Sequence, residues 1–486
     1  MRSCVLDRNV VLGRSERRLP TSDDGVHEAC GVVGVYAPDE DVARVAFFGL
    51  YALQHRGQES VGIATGDGEQ IRLRTHMGLV AQSFQEDELA QLAGHVAIGH
   101  TRYSTSGSSH LRNAQPIRSK GPDVDLVLAH NGNVVNAVEL RDEVSEWGVS
   151  FNTTSDSEII AHMLSNAPAS SWEERIAYIM RRVRGAYSLT IMTKDAMLGV
   201  RDPLGVRPLC LGKMNGGYII ASETCALDHV GAELIRELDP GEAVLVDEHG
   251  PRTVYKREPQ ARVASCMFEH IYFARPDSQL DGKLVYTSRM AMGARLAQEH
   301  PVEADMVIGV PDSATAAAVG YSQESGIPYG EGLVKNRYVG RTFINPDQRL
   351  RDLGVRTKLN PLPELIKGKR LVVVDDSIVR GTTTPHVVGL LKKGGATEVH
   401  LRICAPPIKH PCHLGVDLAT RRELLAANMT VPEIREFVGA DSLGYLSHEG
   451  LIESVGLSKE RVCLGCFNGR HPIPVQLEMD KLALEV

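Results

Sequence analysis

The sequence predicts two folded units in tandem, a strand-rich α+β unit followed by an α/β unit built on a parallel sheet. The chain has 486 residues, which at roughly 150 residues per domain suggests about three domains or two large ones. Short apolar runs separated by Gly, Asn and Asp dominate the first half, and a strand–loop–helix rhythm begins near residue 283. Strands that alternate with helices favour a parallel sheet, whose ligands bind beyond the carboxyl ends of the strands.

Composition is that of a globular protein and excludes several classes of function. Hydrophobic residues make up 43% of the chain and charged residues 23%, which argues against wholesale disorder and against a fibrous fold. No apolar run approaches the roughly 18 residues of a membrane span. A net charge of -8, with only 9 Phe, 2 Trp and 13 Tyr, offers nucleic acid little attraction and few stacking platforms. We expect a cytoplasmic protein without nucleic-acid or membrane partners.

Residues 1–29 differ from the rest of the chain and predict a leader. They combine five Arg with five acidic residues and show little apolar periodicity. A secretory signal would need an apolar core, and an organellar transit peptide would be poor in acidic residues. A frayed N-terminus is the alternative.

The elements of each unit follow from local patterns. In the first unit, short apolar runs predict strands over Cys30–Tyr36, Val96–His100, Val124–Ala129, Tyr187–Met192, Tyr218–Ala221 and Ala243–Val246. Apolar residues three and four apart predict helices over Asp41–Leu53 and Ser157–Leu164. In the second unit, strands are predicted over Met306–Val310, Leu371–Val374 and Glu398–Cys404. Helices are predicted up to about Gly326, from about Pro385 to Lys393, and over 431–456 after a Thr430/Glu433 capping box.

The strongest motif spans Leu371–Thr383, where a buried strand leads to two carboxylates and a small, hydroxyl-rich turn. The carboxylates of Asp375 and Asp376 suit hydrogen bonds from ribose hydroxyls or binding of Mg²⁺. The free amides of the turn, ahead of a helix, suit a phosphate group. Ser313 follows the preceding strand and would reach the same point, although alone it would be only a helix cap. The alternative is an ordinary strand-to-helix turn.

This motif resembles the 5-phosphoribosyl-1-pyrophosphate (PRPP) signature of type I phosphoribosyltransferases. The resemblance implies an α/β phosphoribosyltransferase domain over 263–486 with a helical, metal-tethered tail. It implies one Mg²⁺ per subunit, held by Ser313, Asp375 and Asp376. The implied PRPP contacts are Asp375, Asp376, Ser377, Val379, Arg380, Gly381, Thr382, Thr383, Lys335 and Arg337. The segment 335–361 carries seven basic residues against two acidic ones, so we expect a lid over the polyanion, with a solvated loop as the alternative.

Cys30 opens the first strand, and four further motifs accompany it in the same unit. They are His55–Gln58, His100–Thr105, His130–Asn133 and Thr154–Glu158. Each has a structural alternative when taken alone: Asn131-Gly132 is a turn dipeptide, Ser155 with Glu158 is a capping box, and Cys30 is a core residue.

Together these motifs resemble the glutamine-amidotransferase domain of the N-terminal nucleophile (Ntn) hydrolases. The resemblance implies an αββα sandwich over 30–262 in which Cys30 attacks the amide of glutamine. It implies Asn131 and Gly132 as the oxyanion hole, and Arg56, Arg102 and Asp156 as glutamine-binding residues. A free α-amino group on Cys30, with a pKa of roughly 7.7–8.0, would serve as the base. We therefore expect cleavage after Ala29, which removes 29 of the 486 residues and leaves 457.

Nine cysteines in a chain without a secretory signal argue against a disulfide scaffold. Cys463 and Cys466 form a C-x-x-C pair, for which Cys266 and Cys412 are the natural additional ligands. Four thiolates suit either tetrahedral Zn²⁺ or a [4Fe–4S] cluster, and His410 and His413 would compete for a zinc ion. Cys4 would leave with the leader, and the predicted core residues are Cys210, Cys225 and Cys404.

The complete arrangement resembles the iron–sulfur class of glutamine PRPP amidotransferases from Cys30 to about Arg470. The resemblance implies one structural [4Fe–4S] cluster per subunit, feedback inhibition by purine nucleotides and a homotetramer. It implies hydrolysis of glutamine through a Cys30 thioester and transfer of the ammonia to PRPP, which gives 5-phosphoribosylamine, pyrophosphate and glutamate at the start of purine biosynthesis. Two alternatives are another Ntn glutamine amidotransferase with a different acceptor, such as a glucosamine-phosphate synthase, and a non-catalytic nucleotide-sensing regulator.

Overall fold

The computed structural model of the chain describes residues 30–103, 108–257, 262–336, 359–416, 418, 420–474 and 484. The predicted leader, with Cys4, lies outside the described residues, as do Arg337 and the other basic residues of the predicted lid beyond Lys335.

An antiparallel sheet of seven strands forms the first layer of the N-terminal unit. In spatial order these strands are Glu233–Glu237, Cys210–Met214, Gly217–Ala221, Gly31–Tyr36, Val96–Arg102, Ser60–Gly66 and Ile71–Met77. The central strand, Gly31–Tyr36, is buried along its whole length, as its β-branched and small residues favour. Cys30 lies directly before it.

A second antiparallel sheet, of six strands, packs face to face on the first. In spatial order its strands are Gly250–Lys256, Glu242–Asp247, Met197–Arg201, Gly185–Met192, Asp125–Val134 and Ile117–Lys120. A core that includes Ile98, Val127 and Met197 fills the space between the two sheets. Apolar residues on the inner face of each sheet are thereby removed from water.

Helices cover both outer faces of these sheets. Val42–Ala52 and Thr224–His229 pack on the seven-stranded sheet, and Ala137–Glu146, Asp156–Ser165 and Trp172–Arg182 pack on the six-stranded sheet. Shorter turns occupy Val80–Ser83, Glu86–Ala90 and Leu111–Asn113. The first helix is capped by Asp41, whose carboxylate accepts a hydrogen bond from the Arg44 amide at 3.1 Å. The unit is an αββα sandwich, as expected.

The second unit is built on four parallel strands. Their spatial order is Met306–Gly309, Arg370–Asp375, Glu398–Ile403 and Ser442–Tyr445. Two-stranded pairs flank this sheet: Ser265–Cys266 with Val462–Cys463, Gln279–Leu280 with Lys283–Leu284, and Leu333–Lys335 with Leu359–Pro361. The middle strands are buried on both faces, which accounts for their continuous apolar runs.

Helices enclose the parallel sheet, and one predicted helix is wrong. The helical segments are Glu269–Phe273, Val285–Glu299, Thr315–Ser325, Pro363–Ile366, Thr383–Lys393, Leu425–Asn428, Val431–Val438, His448–Val455, Lys459–Arg461 and Gly465–Asn468. The single helix expected over 431–456 is two helices, because Gly439 ends the first in the left-handed region (φ +74°) and the chain then forms the fourth strand. The Thr430/Glu433 capping box is confirmed. Among the described residues, no helix is long and apolar enough to cross a bilayer.

Four fully buried charged side chains join the two units, and we refer to them as the interface ion network. They are Arg56, Arg207 and Glu223 of the first unit and Glu269 of the second. Arg56 donates to both glutamates, and Arg207 Nη1 donates to Glu269 Oε1 at 3.0 Å. The two units therefore share a polar interior as well as an apolar one.

Candidate active sites

Cys30 lies in a small cleft at the edge where the two sheets of the sandwich meet. The cleft is lined by Cys30, Arg102, Tyr103, Gln115, His130, Gly132, Ser155, Asp156 and Ser157. The strands Val96–Arg102 and Asp125–Val134 and the start of the helix Asp156–Ser165 bring these residues together. Three of the four motifs predicted to accompany Cys30 thus converge on its thiol.

The Cys30 thiol is buried and held by the backbone of Tyr103. Its Sγ accepts a hydrogen bond from the Tyr103 amide at 3.4 Å and donates to the Tyr103 carbonyl at 3.2 Å. Burial raises the pKa of Cys30 above its usual value, and the Tyr103 backbone and the Arg102 charge only partly oppose this. A nucleophile in this position needs a base close by, since the neutral thiol predominates.

Asn131 and Gly132 lie inside the strand Asp125–Val134, so their interpretation as a turn is wrong. Both amide atoms of the Asn131 side chain are buried and have no hydrogen-bond partner among the described residues. A Cβ atom on Gly132 would lie 1.9 Å from the Ala186 carbonyl oxygen, so only glycine fits there. Gly132 lines the Cys30 cleft, so a buried, unpaired donor on the adjacent residue suits an oxyanion hole.

Arg102 and Asp156 supply opposite charges to the walls of the cleft. Arg102 is 2% exposed, and its Nη1 lies 3.6 Å from Glu59 Oε2. Asp156 is 4% exposed, and its Oδ2 accepts from the Val134 amide at 2.9 Å. A cation and an anion on one cleft match the α-carboxylate and α-amino groups of an amino acid.

Ser155 begins the helix that carries Asp156, but not through the predicted capping box. Its Oγ accepts from the Ser157 amide at 3.3 Å. The Glu158 carboxylate accepts instead from the amides of Asn152 and Thr153, at 2.9 and 2.7 Å.

Arg56 is not among the residues that line the cleft, and its assignment to glutamine binding stays a prediction. Its guanidinium is wholly buried in the interface ion network and donates to Glu223 and Glu269. Its neighbour His55 also contacts Glu223, at 2.7 Å. The sequence did not indicate these contacts of Arg56 between the two units, since its partner Glu269 lies 213 residues away.

Tyr103, Gln115 and His130 line the cleft although no role was predicted for them. His130 Nδ1 lies 3.1 Å from Ser157 Oγ, and its backbone amide donates to Gln115 Oε1 at 2.8 Å. Burial lowers the pKa of His130, so its imidazole is neutral at pH 7. Tyr103 is next to Arg102 in sequence, and His130 is next to Asn131. These positions beside predicted site residues were the available sign that both line the cleft.

A second polar site lies at the carboxyl end of the parallel sheet, as predicted. Asp375 ends its strand, and Asp376 follows with its carboxylate hydrogen-bonded by the hydroxyls of Ser313 and Ser377. Burial raises the pKa of both carboxyls, and for Asp375 the charge of Asp376 adds to the effect. Arg289 is the nearby cation that partly offsets this in Asp376. Arg289 offsets only part of the negative charge of the pair, and carboxylate and hydroxyl oxygens of this kind suit a divalent cation.

The turn after Asp376 leads directly into a helix, which begins at Thr383, two residues before its predicted start. Gly381 adopts φ +76°, which favours glycine. Val379 and Arg380 are buried, and Arg380 Nε donates to Glu423 Oε2 at 3.1 Å. Free amides at a helix N-terminus suit phosphate. On the far side of the sheet edge, Lys335 Nζ donates to Asp312 Oδ2 at 3.0 Å.

The four cysteines predicted as ligands come together from three parts of the chain. Cys266 and Cys463 are register partners in a parallel strand pair. The Cys466 carbonyl accepts from the amides of Lys409 and His410 at 3.0 Å, which brings the Cys412 segment alongside. Burial raises the pKa of Cys463 to about 12 and of Cys266 to about 11.

Convergent thiols of this kind are the donors that soft metal centres prefer. Arg207 lies close enough to lower the pKa of Cys266, so a buried cation is available to balance thiolate charge. Among the described residues, no group of three or more His, Cys, Asp and Glu side chains is arranged to hold a single metal ion. Neither the cluster nor the magnesium site is therefore confirmed. Cys210, Cys225 and Cys404 are buried, in agreement with their predicted place in the core.

Comparison with known proteins decides the family. A family model described as a glutamine amidotransferase domain matches residues 100–229. The amidophosphoribosyltransferase of Synechococcus elongatus is 50% identical over 471 residues, which cover 95% of each chain. The chain belongs to the amidophosphoribosyltransferase family. The amidophosphoribosyltransferase of Methanothermobacter thermautotrophicus is 46% identical, over 94% of this chain and 97% of that protein.

Solved amidophosphoribosyltransferase structures share the fold. The glutamine PRPP amidotransferase of B. subtilis, in complex with ADP and GMP, matches with a TM-score of 0.87 and 44% identity over 93% of this chain and 99% of that one. The predicted fold class, an Ntn amidotransferase domain followed by a phosphoribosyltransferase domain, is confirmed. The predicted enzyme class is confirmed as well: the chain is a glutamine-dependent pentosyltransferase of purine biosynthesis.

Proposed function

We propose that the Cys30 cleft hydrolyses glutamine and that the Asp375–Asp376 site uses the released ammonia to convert PRPP into 5-phosphoribosylamine and pyrophosphate. One observation carries the proposal. A buried thiol in a cleft lined by Gly132, whose neighbour Asn131 has an unpaired buried amide, and a carboxylate pair at the end of a parallel sheet occur in one chain. The first arrangement suits acyl transfer and the second suits a ribose phosphate.

At the first site, the Cys30 sulfur would attack the side-chain carbonyl carbon of glutamine. The Asn131 side-chain amide and the Gly132 N–H would stabilise the oxyanion of the tetrahedral intermediate. The C–N bond then breaks, ammonia leaves, and water hydrolyses the thioester to glutamate. Arg102 and Asp156 would bind the α-carboxylate and α-amino groups of the substrate, as their charges in the cleft support.

A base for this step is available if the chain is cleaved after Ala29. The α-amino group of Cys30 would then take the thiol proton and later deliver a proton to the departing ammonia. The burial that raises the pKa of Cys30 makes such a base necessary. We therefore keep the leader as 1–29, the amidotransferase domain as 30–262 and the phosphoribosyltransferase domain as 263–486.

At the second site, ammonia would attack C1 of PRPP as the bond to pyrophosphate breaks. Asp375 and Asp376 would accept hydrogen bonds from the ribose hydroxyls, and the turn Ser377–Thr383 would bind the 5-phosphate through its amides. Lys335 and Arg337 would contact the pyrophosphate. Bound Mg²⁺, held by Asp375, Asp376 and Ser313, would neutralise charge on the pyrophosphate oxygens. Free ammonia is protonated and diluted in water, so transfer inside the shared interface favours the reaction.

The four thiols support a [4Fe–4S] cluster bound by Cys266, Cys412, Cys463 and Cys466. Because the ligands come from segments about 200 residues apart in sequence, the energy of binding would stabilise the fold. We also propose a homotetramer and inhibition by purine nucleotides. The ADP and GMP bound to the B. subtilis relative support nucleotide binding. The cysteines of the described residues are all free thiols, which supports a cytoplasmic location.

Pyrophosphate release from PRPP tests the two-site reaction. We expect release with either glutamine or ammonium as nitrogen donor, and Cys30→Ala should abolish only the glutamine-dependent rate. Cys210→Ala is the matched control, because Cys210 is also a buried thiol that donates to a backbone carbonyl, at 3.3 Å. A Cys30→Ala protein that still used glutamine, or a parent chain that used neither donor, would overturn the proposal.

Separate measurements test the leader and the cluster. Mass spectrometry of active protein should show Cys30 as the first residue, and an active chain that begins at Met1 would contradict cleavage. Anaerobically purified protein should be brown and contain iron and acid-labile sulfide. Stoichiometric zinc without acid-labile sulfide would contradict the cluster and indicate a zinc site at the same four cysteines. Full stability and activity of Cys466→Ser would exclude both.

A further inference from the structure

A short loop of the second unit, Cys412–Gly415, lies against the strand that carries the oxyanion-hole residues. Asn133 Nδ2 donates to the His413 carbonyl at 3.0 Å. Gly415 adopts φ +92°, and a Cβ atom placed on it would lie 2.9 Å from the carbonyl carbon of Gly132 and 3.1 Å from its Cα. The two glycines are therefore in direct backbone contact across the boundary between the units.

The loop is fixed from its other side by buried groups. Arg207 Nη2 donates to the Leu414 carbonyl at 2.9 Å, while its Nη1 donates to Glu269 at 3.0 Å. The Leu414 amide donates to Cys412 Sγ at 3.3 Å. Arg207 and Glu269 are almost entirely buried, so the loop cannot shift without breaking charge-assisted hydrogen bonds.

Gly132 is consequently held on both sides. A Cβ atom on Gly132 would meet the Ala186 carbonyl oxygen at 1.9 Å, and the Gly415 backbone contacts Gly132 from the second unit. Oxyanion-hole donors act through fixed distances, and a displacement of about 1 Å typically costs a factor of 10² in rate.

We propose that the loop Cys412–Gly415 is a positioning element for the Asn131–Gly132 oxyanion hole, so that the second unit sets the rate of amide hydrolysis in the first. Gly415 acts as a positioning residue because its missing side chain leaves room for Gly132, and Asn133 fixes the register of the two segments. The proposal rests on the proposed function of the Cys30 cleft.

Gly415→Ala in the metal-containing holoenzyme tests the proposal, because the added methyl group would meet both the Gly132 backbone and Arg207 Nη2 at 2.9 Å. We expect kcat for glutamine hydrolysis to fall by about 10²–10³-fold, the range for loss of an oxyanion donor, while KM for glutamine changes less than about threefold. Ammonium-dependent release of pyrophosphate should stay within about twofold of the parent. Alkylation of Cys30 by iodoacetamide, which needs no oxyanion hole, should stay within about twofold as well.

Gly439→Ala is the matched control, since Gly439 has φ +74° and nothing within 4 Å of the position of a Cβ atom. It carries the same backbone strain without a clash and should leave kcat for glutamine unchanged. If Gly415→Ala folds and hydrolyses glutamine at the parental rate, or folds and loses glutamine and ammonium activities equally, the positioning role is excluded. A parent chain that does not hydrolyse glutamine would instead refute the proposed function itself.

A second pair of variants covers the case in which Gly415→Ala fails to fold. Asn133→Ala removes the hydrogen bond to His413 without adding volume and should lower kcat for glutamine about 3–10-fold at unchanged KM. Asn136→Ala is the control. It removes hydrogen bonds with Arg182 and Arg184 within the first unit, at 3.0 and 2.9 Å, and should leave kcat for glutamine unchanged. Equal effects of these two substitutions would reduce the role of Asn133 to general stability and overturn the proposal.

Discussion

Glu223→Gln should destabilise the protein strongly, because the Glu223 carboxylate belongs to the interface ion network and accepts hydrogen bonds from several donors. Its carboxylate is fully buried and accepts from Arg56 Nε. It also contacts His55 at 2.7 Å, the Ser278 hydroxyl at 2.6 Å and the Arg275 amide at 2.8 Å. An amide of the same shape would remove the charge and turn an N–H₂ group toward these donors.

The expected loss is about 3–5 kcal/mol of unfolding free energy, the range for breaking a buried ion pair by removal of one partner. For units of this size each kcal/mol lowers Tm by about 2–4 °C, so the expected fall in Tm is about 6–20 °C. Burial raises the pKa of Glu223, but Arg56 and His55 outweigh it and hold the pKa well below its usual value. The stabilisation is therefore complete above the unfolded-state pKa of about 4.3 and is lost only as the pH falls below it.

Thermal and urea unfolding at pH 7, followed by circular dichroism, measure this loss. Glu86→Gln is the control, because the Glu86 side chain is 76% exposed in its contact with Arg44, and a surface pair contributes less than about 1 kcal/mol. The difference between parent and Glu223→Gln should be constant from pH 6 to 8. A Glu223→Gln protein that melts within 2 °C of the parent, measured at the stated pH, would refute the claim that this carboxylate is an essential counter-ion.

Three further changes have defined outcomes. Gly293→Ala should lower Tm by several degrees, because its Cβ atom would lie 1.8 Å from the Ala317 carbonyl oxygen in the facing helix. Gly389→Ala is the control, because a Cβ atom there would have nothing within 4 Å. It should leave the free energy of unfolding unchanged or raise it by up to about 1 kcal/mol. Gly132→Ala should abolish glutamine-dependent activity but spare ammonium-dependent activity, and equal loss of both would indicate unfolding. In a chain that retains residues 1–29, the rate of Cys30 alkylation by iodoacetamide should rise about tenfold per pH unit from pH 7 to 9. Burial raises the pKa of Cys30, so the reactive thiolate stays a minor species whose fraction grows with pH. A rate that does not change with pH would contradict this.

The fold was predictable where local pattern and tertiary environment agree. In three elements the hydrophobic periodicity, the caps or the β-branched residues all favour the structure that forms. These elements are the strand Gly31–Tyr36, the helix Thr315–Ser325, which ends at Gly326, and the strand Arg370–Asp375. One prediction failed: the single helix over 431–456 ends at Gly439, whose left-handed conformation closes it. One alternative is excluded: the dipeptide Asn131-Gly132 is typical of a turn but lies within a strand. There, tertiary strand pairing overrode local propensity.

The sites were predictable as motifs but not as contacts. Cys30, Asp156 and Asp376 lie where their motifs indicate, because strand ends and helix starts place such residues at the edges of sheets. The contact of Arg56 with Glu269 could not be predicted, since the two residues lie 213 positions apart and in different units. The contact of Gly415 with Gly132 could not be predicted from the sequence either, because it depends on how two separate sheets pack against each other.

The interface ion network explains why that docking is specific. The first unit contributes Arg56, Arg207 and Glu223, a set with one excess positive charge, and Glu269 of the second unit supplies the missing negative charge. Burying each ion costs several kcal/mol, so well-packed apolar residues would give comparable stability. Apolar contacts are non-directional, however, whereas bonds between guanidinium and carboxylate groups set distance and angle. Charges that balance only across the interface therefore select one orientation of the two units, the one in which Gly415 contacts the oxyanion-hole strand.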